Sequence, residues 1–181
     1  MVNRLERKLQ KHQIKNIREI KEIEDKAFRC PEFMLAYLAG YFDGEGSITV
    51  NGRKRFDRKG KELTIREKIP VINIKIGTTD RDVLDLFEKY FGGKTYKSNR
   101  RTKTGNTVYS YRANVNTTKV ILRFLYPYLT IKKKQAAITM EMFRKSDIVP
   151  WKEFMPEKIR LLRKIRSFNK KIGDMAVEIL D

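Results

Sequence analysis

The chain has 181 residues, 40% of them hydrophobic, which is enough for one compact domain with an appended segment and too apolar for wholesale disorder. Its 41 Lys and Arg against 22 Asp and Glu leave a formal charge of +19, which favours a polyanionic partner: nucleic acid first, with an anionic membrane surface or packing against ribosomal RNA as rivals. A single cysteine (Cys30) and a single histidine (His12) exclude an intrachain disulfide, Cys/His zinc clusters and Ser-His or Cys-His triads, so any catalysis falls to carboxylates, lysines, hydroxyls or a cation held by oxygen.

In chain order, residues 4 to 27 lack Pro and Gly. There Leu5, Leu9, Ile14, Ile17, Ile20, Ile23 and Ala27 recur mostly three or four apart, which predicts a helix with a thin apolar stripe. Such a helix suits docking on the domain or lying along a ligand. Pro31 fits the first turn of a second helix, FMLAYLAGYFDG, which is apolar nearly all round and needs cover on more than one side. From Gly46 the period changes to two, with Ile48 and Val50 on one face and Thr49, Asn51 and Arg53 on the other, a half-buried strand. NGRKRFDRKGKE reads as a turn or hairpin tip. VINIKIG is a second strand, with Ile72, Ile74 and Ile76 inward. Upstream, Leu63 and Ile65 have the opposite parity, which predicts a bulge or bend around Glu67 to Pro70.

TTDRDVLDLFEKYFGG is a helix capped by Thr79 or Asp80 and stopped at Gly92-Gly93. KTYKSNRRTKTGNTVYSYRANV reads as a hairpin turning at Thr104-Gly105-Asn106. Helices follow over 117–126, 132–145 and 157–170. No apolar run is long enough to span a membrane, and the first residues lack the apolar core of a secretory signal. An intracellular protein of unspecified compartment is the expectation, with no membrane partner.

Helix, two strands, helix, two strands and further helices make an α+β fold, with four antiparallel strands and the helices on one face. The other face and its loops carry Thr49, Asn51, Arg53, Arg55, Asn73, Lys75, Lys97, Asn99, Arg101, Lys103, Ser110, Arg112 and Asn114. Solvation alone predicts polar residues there, but not amides, hydroxyls and cations with hardly a carboxylate. Asn offers a paired donor and acceptor and Arg a fork, which suits base edges in a groove that admits a two-stranded ribbon. The expectation is contact with DNA or RNA.

The sequence DGEG puts Asp43 and Glu45 at a helix end, where unpaired carbonyls disfavour anions. They read either as solvated turn acids or as part of a hard-cation site, which oxygen ligands favour. One or two carboxylates do not complete such a site; a partner chain, phosphate oxygens and waters would. Gly40 and Gly44, beside Ala36, leave one helix face open either to a second copy of the helix or to a packing niche within the chain.

LAGYFDGEG, Leu38 to Gly46, resembles the LAGLIDADG signature of homing endonucleases, with Tyr41 and Phe42 in place of the aliphatic pair and Glu45 in place of the second Asp. The order of elements after it fits the same family over about residues 32–145. The resemblance implies an αββαββα core whose saddle-shaped sheet lies in the DNA major groove. The chain then divides into an N-terminal helical extension (1–30), an endonuclease core (31–146) and a C-terminal helical segment (147–181). One signature implies a symmetric homodimer, paired through Ala36, Gly40 and Gly44, on a long pseudo-palindromic double-stranded site.

The implied activity is sequence-specific double-strand cleavage, of the intron-homing kind. Glu45 and the Gly44 carbonyl would hold Mg²⁺, with Mn²⁺ as a substitute and Ca²⁺ bound without supporting cleavage; Asp43 is a lesser catalytic candidate. YLTIKKKQAA resembles the segment that brings a basic residue to the scissile phosphates. That residue falls on Lys132, with Lys134 second; without the resemblance, the run is a solvated helix start. The sequence also departs from the pattern. A glutamine that some members carry after the second strand has Thr78 as nearest counterpart, flanked by Gly77 and Thr79, and an arginine found a little later has no secure match at Arg81 or Asp82. An intron RNA maturase of the same fold, a non-cleaving DNA-binding regulator and a basic ribosome-associated protein are the alternative readings.

Overall fold

The structure is a computed structural model, which describes residues 4–52, 70–148, 153, 156–165 and 167–168. Its elements are α1 (Arg4–Ala27), α2 (Glu32–Glu45), β1 (Gly46–Gly52), β2 (Pro70–Thr78), α3 (Arg81–Phe91), β3 (Lys94–Arg101), β4 (Thr107–Arg112), α4 (Val115–Leu125), a 3-10 turn (Tyr126–Tyr128) and α5 (Lys133–Ile148). A further helix, α6, covers 156–165. Among the described residues, no helix is long and apolar enough to cross a membrane.

The strands lie in the order β1-β2-β4-β3, every pair antiparallel. The period of two decides which side of the sheet is covered. Ile48, Ile72, Ile74, Ile76 and Tyr111 fall on one face and are buried. They meet Leu38 and Phe42 of α2, Leu84, Phe87 and Phe91 of α3, and Ile121, Leu122 and Leu125 of α4 in one core. Each such aliphatic side chain contributes about 1.5–3 kcal/mol by leaving water, so the helices are fixed to this face.

Local signals set the ends. The Asp80 side chain accepts from the Asp82 and Val83 amides and caps α3. Gly92 and Gly93 have φ of 72° and 87°, and a Cβ at Gly93 would come within 2.5 Å of the Tyr111 hydroxyl, which itself donates to the Gly92 carbonyl at 2.7 Å. Only glycine lets β3 start there. The β3–β4 turn passes through Gly105 at φ 84°, where the sequence places it.

Three expectations need correction or fall outside the described residues. The hairpin's second arm stops at Arg112: Asn114 is no strand residue but the N-cap of α4, its side chain accepting from the Thr117 amide at 2.8 Å. Second, the β3 parity is reversed. Lys97 pairs with Tyr109, which also pairs with Thr78, and Arg101 pairs with Thr107, so Lys97 and Arg101 belong to the helix-side register rather than to the open face. The pairing is irregular between them, where Asn99 lies. Arg101 also donates to the Gly105 carbonyl at 3.1 Å and braces the turn, in which Lys103 sits exposed. Third, Arg53, Arg55, the side chain of Asn51 and the bend expected at Glu67 to Pro70 lie outside the described residues, Pro70 excepted, which opens β2 opposite Gly52.

Of the two places open to α1, the structure takes docking. Ile23 and Ala27 enter the core, and Phe28 meets Phe124 edge to face at 5.0 Å. The Glu19 carboxylate accepts from the amides of Asn114 (2.7 Å) and Asn116 (2.8 Å), and Glu24 pairs with Arg123 at 2.5 Å. The ascending order of these partners shows that α1 runs parallel to α4.

Candidate active site

An α-helix turns about 100° per residue, so Phe33, Ala36, Tyr37, Gly40 and Gly44 share one face of α2. All five are exposed, Phe33 at 71% and Tyr37 at 49%. A Cβ added at Gly40 or Gly44 would meet nothing within 4 Å among the described residues, so no niche formed by them is the reason for these glycines. The opposite face, with Leu38, Ala39 and Phe42, is fully buried. Gly46 ends the helix tightly: its N–H donates to the Phe42 carbonyl, and a Cβ there would lie 2.0 Å from the Phe42 ring.

The two acids leave this helix about 200° apart, and the structure gives them different surroundings. Asp43 is 6% exposed. Its Oδ2 accepts from the Thr130 amide (2.6 Å), the Thr130 hydroxyl (2.8 Å) and the Ile131 amide (3.1 Å), and its Oδ1 from the Lys132 amide (2.9 Å). These donors lie in the segment leading into α5, so the carboxylate ties that segment, remote in sequence, to the end of α2 near a helix N-terminus, where the field favours an anion. Burial alone would push its pKa up; the hydrogen bonds from Thr130, Lys132 and Ile131 outweigh that and hold it below the ordinary value. Both oxygens are engaged, so Asp43 braces the start of α5 against α2. Lys132 answers it: 5% exposed, its ammonium donates to the Asp43 carbonyl and lies 5.9 Å from the Phe42 ring centroid. Burial lowers its pKa, against the pull of Asp43 and Glu45. Lys134 is exposed on the first turn of α5.

Glu45, by contrast, is exposed at the last position of α2. The β1–β2 register, continued one residue past Gly46↔Ile76, aligns it with Gly77. Gly77 is exposed, and a Cβ added to it would meet nothing within 4 Å. One turn before Glu45, the Tyr41 hydroxyl donates to Thr78 Oγ1 at 2.5 Å. Burial pushes the Tyr41 phenol up, the bond to Thr78 counteracts this in part, and the charges of Asp80 and Glu45 add to the rise.

The open face of the sheet lies alongside. Register places Ser47, Lys75, Arg112 and Lys94 in one row, Thr49 and Asn73 in the next, and Gly77, Ser110 and Tyr96 in a third. A concavity there is lined by Asn73, Lys75, Gly93, Lys94, Tyr96, Arg112, Ala113 and Asn114, with no carboxylate among them. The Arg112 guanidinium sits 5.6 Å from the Tyr96 ring centroid. Thr49, Asn73, Lys75, Ser110 and Arg112 thus take their expected face. Sequence reasoning missed Ser47, Lys94 and Tyr96, which follow only from the pairing of β3 and β1.

A divalent cation is the group that such a site implies. Among the described residues, no three His, Cys, Asp or Glu side chains form a cluster able to hold a metal. One chain offers an exposed carboxylate at Glu45 and the exposed backbone of Gly44. Those are hard oxygen donors, suited to Mg²⁺ or Ca²⁺ and insufficient alone. The donor set fits part of the shell of a hard divalent cation.

The chain thus combines a four-stranded antiparallel sheet with a basic open face and a helix whose uncovered face leads to an exposed acid. The LAGLIDADG endonuclease family model matches residues 38–141. The fold is similar to that of the homing endonuclease I-CvuI in complex with the I-CreI target, at 20% identity over 75% of this chain and 82% of that one, with a TM-score of 0.58. It is also similar to the archaeal intron-encoded homing endonuclease I-Vdi141I complexed with DNA (18% identity, 75% and 84% covered, TM-score 0.57). The homing endonuclease I-TnaI is a third such structure (18% identity, 76% and 97% covered, TM-score 0.52). No curated protein matches the chain. The chain belongs to the LAGLIDADG endonuclease family.

Proposed function

We propose that this endonuclease works as a homodimer joined across the uncovered face of α2, cutting both strands of a long pseudo-palindromic site with one Glu45 from each chain near the twofold axis. The observation that carries the reading is the unbroken exposed row Phe33, Ala36, Tyr37, Gly40 and Gly44, which leads to an exposed carboxylate. Small residues let two helices approach closely, and a twofold interface uses the same face on both copies. Two cuts then follow from symmetry.

The open face follows the major groove. Lys75, Lys94 and Arg112 neutralise phosphates or fork onto guanine, and Asn73 and Ser110 address other base edges. Glu45 and the Gly44 carbonyl would hold the divalent cation, Mg²⁺ by preference. When bound, it supplies an activated water and neutralises charge that builds on the phosphate. Asp43 holds α5 against α2 and so brings Lys132 into the field of both acids, from where its ammonium would offset charge on the scissile phosphate. Lys134, exposed on the first turn of α5, contacts the backbone. Likeness to an intron-encoded enzyme makes intron homing the biological role we assign.

The test is cleavage of a supercoiled plasmid that carries the sequence flanking the native reading frame, with Mg²⁺ or with chelator. Linear product in Mg²⁺ alone is expected, and Glu45→Gln binds the same DNA without cutting it. A Glu45→Gln variant that linearises the plasmid at the unmodified rate overturns the assignment of this centre.

A further inference from the structure

We propose that the first half of α1 is a second DNA-binding element, a cationic arm that grips the phosphate backbone flanking the recognition site. The inference rests on the endonuclease reading above but concerns a helix that lies before residues 38–141, which match the family. The charge of α1 divides at Glu19. Residues 4–18 hold six Lys and Arg against one acid, and residues 19–27 hold two against four. At about 100° per residue, Arg4, Arg7, Lys8, Lys11, Lys15 and Arg18 fall within one arc roughly 100° wide, about one cation per turn. The second half places Glu22 and Asp25 on that same arc. Like charges three and four residues apart destabilise a helix. The end turns also oppose the helix field, with two cations to one acid in the first and the reverse in the last. A polyanion along the arc relieves both costs.

Docking engages the second half of α1 and fades before the first. Ile23 and Ala27 enter the core, whereas Ile14 and Ile17 stand 53% and 65% exposed. Lys15 and Arg18 are exposed as well. Contacts at both ends fix the direction. Phe28 packs on Phe124, close to where Tyr128 donates to Glu32 at the start of α2 (3.1 Å). Glu19 accepts from Asn114 and Asn116 at the start of α4, and Asn116 donates to Asn16 at 3.4 Å. Asn114 in turn lines the concavity of the open face beside Lys75, Lys94 and Arg112. From that rim α4 runs inward, burying Ile121, Leu122 and Leu125. Because α1 is parallel to α4, it runs outward from the rim towards its first residue. Residues 4–15 carry the helix about 18 Å past Asn16.

The cations therefore begin where the body of the domain stops, next to the face that carries Lys75, Lys94 and Arg112. A solvated helix explains charge on an exposed face, but not a change of sign at the residue that anchors α1 to the rim. Duplex DNA on the open face continues beyond it as a row of phosphates, which a stripe of cations on a rigid helix matches without reading bases.

The test compares the full chain with two variants. Arg4→Gln, Arg7→Gln, Lys8→Gln and Lys11→Gln together remove the outer cations and keep helix formers, whereas Lys21→Gln with Lys26→Gln removes exposed cations of the docked half as a control. Affinity for a duplex of the flanking sequence is measured in Ca²⁺ over a range of salt, with melting temperature alongside. The fourfold variant should lower the slope of log affinity against log salt by about 2 to 4 and weaken binding about 10- to 100-fold. Base preference and melting temperature should stay as they were, and the control should match the unmodified protein. Cys30, the single native cysteine, is buried, so an iron chelate attached to Gln10→Cys reports position: it should nick the duplex at the outer ends of the protected stretch. An unchanged slope, an equal effect of the control, or nicks confined to the centre overturns the arm. Binding lost only together with melting temperature makes α1 a brace and overturns it too. A protein that neither binds nor cuts the flanking duplex overturns the endonuclease reading itself, whereas a cutting protein with an unchanged slope overturns only the arm.

Discussion

Asp43 and Lys132 hold each other twice: the Asp43 carboxylate accepts the Lys132 amide, and the Lys132 ammonium donates to the Asp43 carbonyl. Side chain answers backbone in both directions, and the ends of α2 and α5 are joined without a covalent link. Acid 43 therefore belongs to the scaffold, which the Asp-Gly-Glu-Gly spelling alone does not reveal.

Asp43→Asn should lower stability by about 2–3 kcal/mol at neutral pH, the scale of hydrogen bonds to a buried charge. The folded-state pKa of Asp43 lies below the unfolded value of about 3.9, so its contribution is complete above that value and fades as pH falls through the folded pKa. Urea unfolding at pH 7 and pH 3 checks both parts. The gap between the variant and the unmodified protein should narrow in acid, and a gap of constant size would contradict the sign.

Gly40→Leu should act with opposite signs on the fold and on the assembly. The isolated chain gains about 0.5–1 kcal/mol from better helix propensity, because the new side chain meets nothing within 4 Å. The dimer loses its close approach. Sedimentation velocity should show monomer where the unmodified protein shows dimer, and cleavage should vanish with it. An intact dimer would place the interface elsewhere.

Asn114→Ala should cost about 1 kcal/mol or somewhat more, as one change removes the α4 cap and a partner of Glu19. Its target preference should stay as it was, since both ends of the amide are already occupied within the chain. Thermal melts and selection of cleavable sites from a randomised pool measure the two effects. A change in the selected bases would restore Asn114 to the reading surface.

Arg112→Ala should reduce the slope of log affinity against log salt by about 1, as expected for one lost phosphate contact, or relax the preference at one base pair. Lys97→Ala, on the helix-side register, should do neither. Anisotropy titrations over a range of salt compare the two directly, and equal effects would mean that the β3 register does not govern contact.

Much of this was legible because the deciding signals are local. Alternation in Ile72, Ile74 and Ile76 names the buried face of β2, and Asp80 and Gly92 bracket α3 within a few residues. The failures share a different cause. Period two fixes which β3 residues share a face but not which face that is; the answer comes from pairing Lys97 with Tyr109 across a turn. Asn114 fits an alternating arm equally well as a cap; its bond to the Thr117 amide makes it the cap, and a second bond, to Glu19, 95 positions away, is not legible locally. The bonds that Asp43 accepts from Thr130 and Lys132 span 87 and 89 positions, and the Tyr41–Thr78 bond spans 37. A tyrosine hydroxyl in a run otherwise apolar was the one local hint of the latter.

Positions 43 and 45 stand two residues apart and answer to different pressures. A lineage that kept this protein for its shape, as a binder or a splicing aid, would be free to drift at 45 at once, yet would be held to aspartate at 43 by the need to accumulate folded protein. Among descendants, an intact first acid beside an eroded second one is the expected scar of retired scissors.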